Sequence, residues 1–101
     1  MRTVHKYPIL SWMEESFTTY QGFVPRHAGI DGEGQLCVWL EVDTSKLPVE
    51  AEVKVVATGR EIDFPVIGWG NIFLDPTYEN KFEFVGTAIE SNGYVWHVYI
   101  R

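Results

Sequence analysis

The run LCVWLEVD, residues 36–43, constrains the chain more than any other stretch. Leu36, Val38, Leu40 and Val42 alternate with Cys37, Trp39, Glu41 and Asp43. Successive side chains of an extended strand point to opposite faces, so this spacing separates an apolar side from an amphipathic one. The same period of two recurs along the sequence. TVHKYPI (3–9) reads as a strand, with Pro8 placed where a strand end or edge tolerates it. ESFTTYQGFV (15–24) is β-branched and aromatic, punctuated by Gly22. EVKVVATG (52–59) sets Val53, Val55 and Ala57 against Glu52, Lys54 and Thr58. FEFVGTAIE (82–90) and YVWHVYIR (94–101) flank Ser91-Asn92-Gly93, a short hairpin connection.

Turn chemistry separates these runs. DGEG (31–34) is a tight turn, and DTSKLPVE (43–50) reads as a loop carrying Pro48. SWMEESF (11–17) offers a serine cap position followed by glutamates, enough for at most one short helix of a turn or two. The expected fold is therefore all-β and mainly antiparallel: a small sandwich or open barrel of six to seven strands. At 101 residues it is a single domain, residues 1–101. Its 46% hydrophobic and 15% aromatic content is enough for a core and argues against disorder.

Charge and cysteine usage narrow the partners. A net charge of −6 weighs against binding phosphate backbones, so no nucleic-acid partner is expected. The acids are scattered among apolar residues, unlike the dense carboxylate face of a DNA mimic. Cys37, the one cysteine, sits within an apolar run and reads as a small buried hydrophobe. The N-terminal MRTVHKYPIL lacks the apolar stretch of a signal peptide, and no segment approaches membrane-spanning length. A cytoplasmic protein without a membrane partner is expected.

Catalytic signatures are absent. GIDGEG (29–34) has the wrong spacing for a phosphate loop, and no GxSxG elbow occurs. His5, His27 and His97 lie far apart with no metal-ligand spacing, so neither a metal nor a cofactor is expected. Glu41 and Asp43 share a strand face about 7 Å apart, a separation seen in glycosidase acid–base pairs. They also border a turn, where solvated acids are ordinary, and the ordinary reading is preferred.

Two regions exceed a plain core pattern. In the closing strand Tyr94, Trp96, Val98 and Ile100 form one stripe, leaving Val95, His97 and Tyr99 on a half-wet aromatic face. Such a face suits a partner subunit or a flat ligand. If the first and last strands are neighbours, His5, Tyr7, His97 and Tyr99 form one patch. REIDFPVIGWGNIFLDPTYEN (60–80) is long and apolar. It hides one more strand near residues 71–74, or forms a lid carrying Phe64, Trp69 and Phe73, or folds over an open end of the sheet to complete the core. The last is the simplest reading.

The order HKYPI, LCVWLEVD, ATGREI, FVGTAIE and YVWHVYIR resembles a family of small uncharacterised proteins found mainly in phages and prophages. The matching positions are Lys6, Tyr7, Cys37, Val38, Trp39, Val42, Asp43, Thr58, Gly59, Gly86, Thr87 and Val95 to Val98. The 60–80 segment is longer than that family pattern. The resemblance implies a virus-encoded protein of the bacterial host cytoplasm and carries no activity or catalytic residue with it. The expected function is a non-enzymatic accessory role: binding a host factor or defence component, as a homodimer. Candidate binding residues are Tyr7, Trp39, His97 and Tyr99 on the sheet and Asp63, Phe64 and Trp69 on the long segment. The alternatives are a nucleotide-sequestering protein, a virion structural component and, last, a hydrolase acting through Glu41 and Asp43.

Overall fold

The computed structural model describes residues 1–11, 13–68 and 81–101, with seven strands and no helix among them. These are β1 (Arg2–Pro8), β2 (Glu14–Tyr20), β3 (Val24–Ile30), β4 (Leu36–Asp43), β5 (Pro48–Ala57), β6 (Glu83–Ile89) and β7 (Val95–Ile100). They form two antiparallel sheets, ordered β1-β4-β3 and β2-β5-β7-β6. The sheets face each other as an open sandwich. No ladder joins β1 to β2 or β3 to β6, so the expected barrel alternative is not realised.

The alternation read from the sequence fills the space between the sheets. Leu36, Val38, Leu40 and Val42 of β4 meet Ala51, Val53 and Val55 of β5 and Val98 and Ile100 of β7, all buried. Each such side chain contributes about 1.5–3 kcal/mol on burial. Where β3 crosses β6 the two backbones come close enough that a single added Cβ would already be in van der Waals contact. A Cβ placed on Gly86 would stand 3.4 Å from the main-chain nitrogen of Ala28.

Three expectations need correction. The 15–24 run is not one strand: Gly22 adopts φ +80, and Phe23 N donates to Tyr20 O at 3.1 Å, turning the chain between β2 and β3. No residue in a continuous strand has a positive φ. The sequence also conceals β3 because VPRHAGI carries Pro25 and Gly29; its edge position and a bulge between Pro25 and His27 accommodate the proline. The short helix proposed for 11–17 does not form, since Glu14 already pairs with Lys54. Pro48 opens β5 rather than lying in a loop, the position where a strand tolerates proline.

The described part of the long segment behaves as a cover. Ile62, Phe64 and Val66 pack with Val56, Phe82 and Tyr99 into a second apolar cluster on the outer face of the four-stranded sheet. Val66 bridges to Phe82 in parallel. The strand suggested near residues 71–74 and the side chain of Phe73 lie outside the described residues.

Candidate functional site

The outer face of β1-β4-β3 has no described layer over it. Register places Lys6 and His27 on either side of Trp39, and Val4 and Val24 on either side of Glu41. Trp39 is half-buried at the centre. Val4 and Val24 remain 52% and 38% exposed beside it. The His27 ring leans against the indole, with centroids 5.2 Å apart. It reaches this position only because residue 29 is glycine: a Cβ there would lie 2.8 Å from His27 Nε2.

Ion pairs frame this apolar centre. Glu41 accepts from Arg2 and, at 3.0 Å, from Arg26 Nη2, and these two guanidinium groups hold its carboxyl below the usual range. Asp43 accepts from Ser45 Oγ at 2.6 Å and from the N-terminal ammonium at 3.3 Å; the Ser45 contacts lead in lowering its pKa to about 2. Carboxyls held this way are ionised at neutral pH and have no proton to offer a leaving group. Asp31 accepts from the main-chain N–H groups of Glu33 and Gln35, both at 2.9 Å, and from Lys6 Nζ at 3.1 Å. Its pKa falls to about 2, chiefly through those two N–H groups. Beneath it the Cys37 thiol donates towards Asp31 Oδ2 at 3.5 Å, and burial pushes that thiol up to about 11.

The face is also electrically distinct. Arg2, Lys6 and Arg26 balance Asp31, Glu41 and Asp43. The other described residues carry five cations (Lys46, Lys54, Arg60, Lys81 and Arg101) against nine acids, so among the described residues the excess of negative charge lies off this face.

The sequence-derived candidates separate. Trp39 occupies the open face just described. Tyr7 points the other way, between the sheets, stacked on Phe17 with centroids 4.5 Å apart and bonded to Thr19 Oγ1 at 2.9 Å. His97 and Tyr99 lie on the opposite outer face, because β1 and β7 belong to different sheets. The proposed patch of His5, Tyr7, His97 and Tyr99 is thus not assembled. His97 is half-buried between Thr58 Oγ1 (2.7 Å from Nε2) and Thr87 Oγ1 (2.9 Å from Nδ1), tying the end of β5 to β7 and β6. Tyr99 is buried against Phe64, with centroids 5.3 Å apart. Asp63 is exposed, and Trp69 lies outside the described residues.

Phe64 and Asp63 do share a cleft of about 980 Å³ with Met13, Glu14, Lys54, Arg60, Glu61 and Trp96. Its acids outnumber its cations. No group of three or more His, Cys, Asp or Glu able to hold a metal occurs among the described residues. No helix among them is long and apolar enough to cross a membrane.

Sequence reasoning missed the neighbours of Trp39, namely Val4, Val24, Arg26 and His27. The missing signal was the existence of β3, without which Trp39 has no flank on that side. A family described as a domain of unknown function (DUF7352) matches over residues 1–101. No curated protein and no solved structure matches the chain.

Proposed function

The chain belongs to the DUF7352 family, and on that premise we propose a phage-type accessory protein that binds another protein rather than catalysing a reaction. The carrying observation is Trp39, half-buried at the centre of a sheet face that no described element covers and ringed by Val4, Val24 and paired charges. A central aromatic anchor with arginines around it and ion pairs at the rim has the composition of a protein-binding surface. The neutrality of the face suits a protein surface of mixed charge and offers little to a phosphate backbone. The partner class is a bacterial host factor or defence component.

The test is affinity capture from infected cells with wild type and Trp39→Ala in parallel. A partner held by wild type and weakened tenfold or more by the variant, at hot-spot magnitude, supports the assignment. Equal capture by a folded Trp39→Ala protein overturns it. Recovery of the protein in purified particles would instead make it a virion component.

A second reading rests on the cleft, where Phe64 and Trp96 offer rings and Lys54 and Arg60 offer cations to a nucleotide. Glu14, Glu61 and Asp63 oppose an anionic ligand there, so this reading ranks second. A thermal-shift series with nucleotides in large excess decides it: no rise in Tm removes the reading.

A further inference from the structure

Each sheet of an open sandwich has two edge strands, and unguarded edges recruit other strands. Among the described residues the four edges are β1, β3, β2 and β6. Three carry a guard. β1 contains Lys6 and ends on Pro8; β3 contains Pro25 and a bulge; β6 is bulged between Phe84 and Gly86. β2, EESFTTY, has no proline, lysine or bulge over seven residues. Its charges are confined to Glu14 and Glu15, and Glu15 is engaged by the main-chain N–H groups of Leu10 and Ser11.

The free hydrogen-bonding groups of this edge can be assigned. Val55 N donates to Met13 O and Gln21 N to Leu47 O, so the odd-numbered residues of β2 direct their main-chain groups to β5. Glu14, Ser16 and Thr18 direct theirs to the open side, as does Tyr20 N, while Tyr20 O already accepts from Phe23 N in the turn to β3.

We propose that β2 pairs antiparallel with β2 of a second copy, joining two four-stranded sheets into one of eight strands. The sequence is self-complementary in the register of full overlap. Ser16 stands opposite Thr18 of the other copy and exchanges both main-chain bonds with it, a favourable cross-strand pair. Glu14 stands opposite Tyr20 and Glu15 opposite Thr19, so no like charges meet. Phe17 meets its own copy at the two-fold axis. This ring is half-buried and stacked on Tyr7 at the open flank of the sandwich, where a neighbour would complete its burial. A two-fold normal to the sheet leaves both Trp39 faces on the same side of the dimer. The inference does not depend on what the Trp39 face binds.

Two measurements on the full chain test it. Sedimentation equilibrium from micromolar to near-millimolar concentration is expected to show the mass rising from 11.6 kDa towards twice that. Amide exchange by NMR is expected to show Ser16 and Thr18 gaining protection as concentration rises, while Val4 and Lys6 on the guarded β1 edge do not. Thr18→Pro removes a donor that no bond among the described residues uses, and Ser16→Lys keeps the donor but adds a guard. Both should stay folded and return to the one-chain mass. A wild type that remains one chain throughout overturns the proposal. So does a dimer that persists in both folded variants, or one that protects Val4 and Lys6 instead.

Discussion

Asp31 organises the end of the Trp39 face. It gathers Glu33 N, Gln35 N, Lys6 Nζ and the Cys37 thiol around one carboxylate. Its carboxyl titrates near 2 when folded and near 3.8 when unfolded, so ionised Asp31 favours the folded state. That contribution is complete above about pH 4 and disappears as pH falls towards 2. Asp43 behaves in the same sense over the same window. Urea titrations at pH 5, 3.5 and 2.5 are therefore expected to show falling stability, and Asp31→Asn should flatten part of that slope while Asp43 retains the rest. A slope unchanged in Asp31→Asn would contradict the assignment. Cys37 gives a second residue-scale expectation. A buried thiol raised to about 11 is a poor nucleophile at neutral pH, so disulfide reagents should leave it unmodified until the chain unfolds.

At the scale of elements, what was legible in the sequence is what alternation alone determines. β4, β5 and β7 sit centrally and carry long apolar stripes, so their inward faces follow from residue type. β3 was hidden because an edge strand needs no stripe and tolerates Pro25. The Trp39 surroundings were hidden with it, since which strand lies beside β4 is set by tertiary pairing across distant sequence. The 60–80 segment was legible as apolar and read as folding over an open end of the sheet, whereas its described residues Ile62, Phe64 and Val66 pack on the outer face. That arrangement has an energetic consequence. Phe82, 1% exposed, contacts Phe64 edge-to-face with centroids 4.9 Å apart and lies beneath the Arg101 guanidinium at 4.6 Å. Phe82→Ala is expected to cost about 3–5 kcal/mol by opening the second cluster. Urea unfolding measures it, and a loss below about 1 kcal/mol would mean the cover contributes little to folding.

On the scale of the whole molecule, β7 joins the two apolar clusters. It lies between β5 and β6 in the four-stranded sheet. Val98 and Ile100 enter the core between the sheets, while Tyr99 enters the cluster on the outer face. One strand at the end of the sequence thus supplies both sides of the sheet, and His97 ties it laterally through Thr58 and Thr87. Neither cluster can close until β7 is in place, and its pairing with β5 spans some forty residues of chain. Folding dominated by such distant pairings is slow and offers few stable partial structures. A chain ending at Tyr94 would leave β5 and β6 each without a partner on that side and both clusters open. It is expected to show no cooperative urea transition and no near-ultraviolet circular dichroism, whereas the full chain unfolds in one step seen alike by tryptophan fluorescence and far-ultraviolet signal. A sigmoidal transition retained by the shortened chain would show that one sheet or one cluster holds together unaided, and that β7 does not unite them.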